Sequence, residues 1–261
     1  MVYRKLEGIS KISVKDIDLT VVYDNNPYRE GLKTAWGFSC LIRVAGKNIL
    51  FDTGRNGTIL MENMKELKIS PSAIDMIVLS HVHDDHTGGL SSFLKENNRV
   101  TVYIAESFPE NISREIEKYG AKAVRVKEPL GLCKGICSTG ELGTSIKEQS
   151  LIVKTNKGLI IITGCAHPGI VGVVNMAKNL MGDKVLLVLG GFHLGDKSKK
   201  DIARIVFSFK EMGVNYVGPS HCTGDKARAI FEEEYKDNFI SVGVGKEIKI
   251  SQKLQSSLLQ V

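Results

Sequence analysis

The chain has 261 residues, 43% hydrophobic and 25% charged, with a formal net charge of +6. This composition excludes collagen-like, low-complexity and disordered chains, and no apolar run approaches the ~20 residues that span a bilayer. The amino-terminal MVYRKLEGIS lacks the apolar segment of a secretory signal, so a cytoplasmic protein is expected. Five cysteines, an odd number, make no disulfide framework, and reduced thiols are expected. Lysines alternate with glutamates on faces such as 197–213, and no basic run is interleaved with stacking aromatics. The expected partner is a small anionic molecule rather than nucleic acid or a membrane. Oligomeric state is not legible.

In chain order, strands are expected at 19–24, 38–45 and 48–54, with Gly46-Lys47 turning between the last two. A helix follows over 58–67, where Ile59, Leu60, Met64 and Leu67 share a face. The apolar run 74–80 reads as a buried strand leading into LSHVHDDHTGGL. A helix from Leu90, a strand at 99–105, a helix at 109–119 and a strand at 121–126 follow, and 127–145 reads as loop or short strands. The second half has two strands within 150–169 turning at Asn156-Lys157-Gly158, then a helix at 170–181. It continues with a strand at 184–194, a helix at 199–212 and a strand at 214–224. No Pro/Ser-rich linker interrupts this alternation, so one domain over 1–261 is expected.

Three of the six histidines fall in His81–His86 together with Asp84 and Asp85, and the other three, His167, His193 and His221, each close a predicted strand. Zinc and related ions take imidazole, thiolate or carboxylate donors at about 2.0–2.3 Å. In H-x-H-x-D-H, His81 and His83 point to one side of an extended segment and Asp85 and His86 sit on the turn beyond, which favours two adjacent ions. Gly88 and Gly89 are expected to give the backbone freedom for that turn. Ligand sites in open α/β sheets lie beyond the carboxyl ends of strands, where these histidines fall.

The cluster His81-Val82-His83-Asp84-Asp85-His86, followed by Thr87-Gly88-Gly89 and preceded by Phe51-Asp52-Thr53-Gly54, resembles the signature of the metallo-beta-lactamase-fold metal-dependent hydrolases. The resemblance covers nearly the whole chain and implies an α/β fold, a four-layer αββα sandwich with metals at one edge. The segments Gly164–Ile170, Gly190–Leu194 and Ser220–Gly224 look like the branch related to the archaeal dihydropterin ribofuranosylaminobenzene phosphate synthase.

By that family pattern His81 and His83 hold one ion with a third histidine, and Asp85 and His86 hold a second with His221. The sequence departs from the pattern in having no histidine between His86 and His167, and Cys165 where a bridging acid is expected. His167 is taken to fill the vacant position, and Cys165 to lie near the metals or to be a small buried strand-end residue. His193 is a further ligand or a proton donor to a leaving group, with the donor role favoured. Asp52 supports the loop ligands by hydrogen bonds, forms a turn, or does both. Asp84 faces solvent, Cys133 and Cys137 make no zinc site, and Trp36 is a packing residue before it is a lip of the site. Lys197, Lys199 and Lys200 read as a solvated face, with contact to a substrate phosphate as the alternative.

The leading functional expectation is a metal-dependent hydrolase in which one or two divalent ions activate water against an ester or phosphoester. Zinc is favoured over manganese, iron or magnesium. Asp85 orients the water and His193 protonates the departing group. The alternative is a transferase that condenses a dihydropterin-methyl pyrophosphate with a ribofuranosylaminobenzene phosphate. A third reading is a metal- or oligonucleotide-binding module without catalysis, and the intact H-x-H-x-D-H set ranks it last.

Overall fold

A computed structural model describes residues 6 and 8–250. Contacts divide it into two compact units, one of residues 15–127 with the segment from 242, the other of residues 128–241 with the segment up to 14. Each unit holds one sheet.

The first unit runs β1 (Ile17–Tyr23), β2 (Ser39–Val44), β3 (Lys47–Phe51), α1 (Gly57–Glu66), β4 (Met76–Val78), α2 (Asp84–Thr87), α3 (Leu90–Glu96), β5 (Thr101–Ala105), α4 (Glu110–Lys118) and β6 (Lys122–Val126). The sheet order follows the chain from β1 to β6, with a late strand, Glu247–Lys249, added outside β1. Pairing is antiparallel up to β3 and parallel from β3 to β6, so β3, β4 and β5 end on the same edge. Asp52 and the histidine loop leave from that edge.

The β2–β3 turn sits one residue earlier than the sequence suggests: Ala45 and Gly46 carry it, at φ 49° and 77°. A two-residue turn with both φ positive matches the twist of the flanking strands, and this outweighs the cost of placing alanine in the left-handed region. Helix α1 starts at Asn56, whose side chain accepts a hydrogen bond from Ile59 N at 3.1 Å. It packs Leu60 and Met64 with Phe93, Leu94 and Ile116 against Leu41, Leu50, Ile77 and Val102 of the sheet.

The second unit contains β7 (Leu130–Cys133), β8 (Ile136–Ser138), β9 (Leu151–Thr155), β10 (Gly158–Thr163), α5 (Ile170–Met181), β11 (Val185–Gly191), α6 (Lys199–Glu211), β12 (Tyr216–Ser220) and α7 (Asp225–Tyr235). Its sheet order is β12-β11-β10-β9-β8-β7. β7 to β10 are antiparallel neighbours, while β10, β11 and β12 are parallel, so their carboxyl ends share an edge. The segment left as loop or short strands thus holds the β7–β8 hairpin. Helix α7 and the strand Glu247–Lys249 carry no counterpart in the sequence reading. α7 buries Ala227, Phe231 and Tyr235 on one face, and Phe231 packs with Phe192 and Phe209 at ring distances of 5.5 and 5.6 Å. No helix among the described residues is long and apolar enough to cross a membrane.

Candidate metal centre

In the first unit the chain leaves β3 at Asp52, a buried residue held at φ 58°. Its Oδ1 accepts from Ser80 N at 2.7 Å, and its Oδ2 accepts from Ser80 Oγ at 2.8 Å and from His86 Nδ1 at 2.7 Å. The single Ser80 hydroxyl proton is committed to Asp52. The 2.9 Å contact between Ser80 Oγ and His81 Nδ1 therefore needs the proton on the imidazole. Both His81 and His86 thus carry a proton on Nδ1, which leaves Nε2 as the nitrogen available to ligate a cation.

His81 Nε2 faces His83 Nδ1 at 3.1 Å, and one donor atom from each of His81, His83 and Asp85 lies within 4.8 Å of the others. Donors at about 2.1 Å from a tetrahedral or octahedral cation stand roughly 3 to 3.4 Å apart, so this set fits a divalent ion with small movements. His86 Nε2 lies 3.6 Å from Asp85 Oδ2. Asp85 and His86 are buried in the single turn of α2, whereas Asp84 is exposed and paired with Arg55 at 2.9 Å, as its solvent-facing assignment requires.

The glycines after the motif do a different job from the one expected. Gly88 and Gly89 have helical φ of −64° and −83°, conformations open to any residue. A Cβ on them would run into the carbonyl oxygens of Arg55 and Thr53 respectively. They are glycine because the histidine loop lies directly on the chain leaving β3, where Thr53 N and Oγ1 both donate to His86 O.

In the second unit Cys165, His167, His193 and His221 follow the carboxyl ends of β10, β11 and β12. Ala166, His193 and His221 hold φ of 58°, 52° and 48°, three non-glycine residues in the left-handed region at one sheet edge. Each costs on the order of 1–3 kcal/mol, and such residues cluster at functional sites. The rings of His167 and His193 are 4.4 Å apart. The loop 164–167 is held from beneath by Glu148, a buried side chain absent from the sequence reading. Its Oε1 accepts from the backbone N–H groups of Gly164, Cys165 and Ala166 at 3.1, 2.9 and 2.9 Å, and its Oε2 from His167 N at 2.9 Å. Nothing local marks Glu148 in the sequence, because its partners are backbone groups more than a dozen residues away.

His193 is exposed, and hydrogen bonding to Cys222 raises its pKa. Cys222 is held well below the ordinary thiol range by a hydrogen bond from Cys165, against burial and with help from His193. Cys133 and Cys137 sit on β7 and β8, and neither joins a group of metal-competent side chains among the described residues. Trp36 is half exposed, and Lys197, Lys199 and Lys200 are all exposed.

Residues 37–178 match the metallo-beta-lactamase superfamily. The chain belongs to that superfamily. Its fold is of the metallo-beta-lactamase type, an α/β class in which both mixed sheets here carry flanking helices. This metallo-beta-lactamase-fold chain is 34% identical to the 7,8-dihydropterin-6-methyl-4-(beta-D-ribofuranosyl)-aminobenzene-5'-phosphate synthase of Methanocaldococcus jannaschii, over 88% of its own length and 95% of the relative's. Among solved structures it is similar to Tm1679, a metal-dependent hydrolase of the beta-lactamase superfamily. The TM-score is 0.75 and the identity 26%, covering 89% of this chain and 98% of that one. The metallo-beta-lactamase fold protein YhfI of Bacillus subtilis, at TM-score 0.66 and 13% identity over 89% and 98% of the two chains, shares the fold.

Proposed function

We propose that this chain is a metal-dependent hydrolase acting on an ester or phosphoester of a small, anionic substrate. The observation that carries the reading is the Asp52–Ser80–His81 relay. It turns the Nε2 of His81 toward His83 at 3.1 Å inside a histidine and carboxylate set that suits a divalent ion. The ligands proposed are His81, His83, Asp85, His86, His167 and His221, following the family pattern. The cations proposed are one or two divalent ions, zinc before manganese, iron or magnesium. The family match runs across the division at 127/128, which supports treating the two units as one domain.

When bound, a divalent cation supplies an acidified water and a polarised substrate oxygen. The protein supplies the rest. Asp52 and Ser80 hold the imidazoles of His81 and His86 in one tautomer and orientation. Asp85, at the first turn of α2, accepts a hydrogen bond from the attacking water and aims it. Hydrogen bonding to Cys222 raises the pKa of His193, which stands exposed, where it can pass a proton to a leaving oxygen.

A second reading is favoured by the near-full-length similarity to the archaeal synthase: the cation that the same donors would hold would bind the pyrophosphate of a dihydropterin-methyl pyrophosphate, which would leave as pyrophosphate while a carbon of the ribofuranosylaminobenzene phosphate bonds to the methyl carbon and loses its proton. A screen of phosphomonoester, phosphodiester, thioester and lactone substrates, run beside the two synthase substrates and read by mass spectrometry, separates the readings. Water-dependent cleavage without a condensed product is expected. Condensed product from the pterin and aminobenzene partners would transfer the chain to the second reading.

A further inference from the structure

Trp36 is the single tryptophan of the chain, and it stands 50% exposed on the loop that joins β1 to β2. That loop is fastened on both sides of the indole. Before it, the buried Asn63 of α1 donates from Nδ2 to Val22 O at 3.0 Å and to Lys33 O at 2.9 Å, and its Oδ1 accepts from Lys33 N at 2.9 Å. Ala35 N donates to Asp24 O at 3.3 Å. After it, Phe38 N donates to Asp85 O at 3.2 Å, and Phe38 O accepts from Gly54 N at 3.0 Å. Gly37 has φ 141° and no room for a side chain: a Cβ there would lie 2.5 Å from Asp85 O and 3.1 Å from the Tyr23 ring. The backbone that carries the indole therefore rests directly on Asp85, a ligand of the proposed metal centre. Val82, between the proposed ligands His81 and His83, is 41% exposed and gives the histidine loop an apolar side chain of its own at the surface.

A tryptophan left half in water forgoes much of the burial that stabilises so large an apolar side chain, which a purely packing role would have used. An indole on an anchored backbone has only two side-chain torsions to fix, so it gives a large contact at little conformational cost, and its face accepts another π-system. Ligand sites are lined by aromatic and apolar side chains around a few polar groups, and here the polar groups are the neighbouring imidazoles and Asp85. We propose that Trp36 is a specificity-determining residue whose indole face receives a planar aromatic or heteroaromatic ring of the substrate, while the substrate's anionic end lies at the metal centre. This assignment rests on the metal centre of the proposed function, and it narrows the small anionic substrate to one that bears such a ring.

The test uses the full chain reconstituted with Zn²⁺ and two probes that resist hydrolysis, phenylphosphonate and methylphosphonate, which carry the same anionic group. Binding is read by calorimetry and, because Trp36 is the only tryptophan, by its emission. Phenylphosphonate is expected to change that emission saturably, more than methylphosphonate does, and to bind about 3- to 10-fold more tightly. The phenyl-to-methyl ratio is expected to persist in Trp36→Phe, which keeps a ring face, and to fall at least about threefold in Trp36→Leu, which is apolar without one. A smaller fall in Trp36→Leu, or an equal fall in Trp36→Phe, overturns the assignment. Should the variants fail to fold, the wild-type emission decides, and saturation with phenylphosphonate that leaves it unchanged overturns the assignment as well. If methylphosphonate binds and only the phenyl advantage is missing, the stacking role alone fails. If neither phosphonate binds, the metal centre of the proposed function fails and the stacking role with it.

Discussion

At the scale of single residues, two buried carboxylates organise the strand ends, and only one was legible. Asp52 stands in a recognisable Phe51-Asp52-Thr53-Gly54 stretch, and it both turns the chain at φ 58° and orients two histidines, so the two roles weighed for it hold together. Replacing it with asparagine keeps the volume but offers one acceptor oxygen where two serve three donors. Asp52→Asn is expected to lower metal affinity by about 10- to 100-fold, measured by competition with a chromogenic chelator. An unchanged affinity would remove Asp52 from the orienting role. Glu148 was invisible because the groups of the 164–167 loop that its carboxylate holds are backbone N–H groups, and backbone amides leave no mark on a sequence. Glutamine there would turn an amide N–H₂ toward backbone N–H groups. Glu148→Gln is expected to cost at least ~2 kcal/mol in urea unfolding, since hydrogen bonds to charged groups contribute roughly 1.5–3 kcal/mol.

At the scale of elements, strands and helices with strong periodicity were legible to within a few residues, as α5 at Ile170–Met181 shows. The misses have physical reasons. The β2–β3 turn slipped by one because the twist of the hairpin, set by pairing across both strands, decided which residues take positive φ. Gly88 and Gly89 were read as giving the turn its backbone freedom because sequence shows a glycine but not the carbonyl lying where its Cβ would go. Helix α7 has only three buried positions, four apart, among charged residues. Its importance lies in tertiary packing: Phe231→Ala, which empties the space between Phe192, Phe209 and Tyr235, is expected to cost about 3–5 kcal/mol by denaturant titration.

Stability toward acid also belongs at this scale. Burial raises the pKa of Asp183, but hydrogen bonds from Lys11 at the segment before β1 and from Lys184 N outweigh it, so the folded value is depressed. Its stabilising contribution is present above the unfolded value of about 3.9 and is lost as pH falls through the lower folded value. Asp183→Asn is expected to be less stable than wild type at neutral pH, with the difference closing below that range. A constant difference across a pH series of thermal melts would contradict this.

At the scale of the whole molecule, the superfamily was legible from one loop, because H-x-H-x-D-H with its glycines packs many chemical constraints into few residues. Its reaction was not, since water and an aromatic carbon can both attack a phosphate-bearing substrate held by the same donors. The histidine positions suggested metal ligation from the sequence alone. In the first unit one donor atom from each of His81, His83 and Asp85 lies within 4.8 Å of the other two. The most direct test of this account is the metal content of purified wild-type protein and His83→Ala, by plasma mass spectrometry, with turnover and circular dichroism measured on the same samples. The account predicts about one or two equivalents of a divalent metal in wild type, and loss of both metal and turnover in a still-folded His83→Ala. Full turnover in a metal-free His83→Ala protein would contradict it.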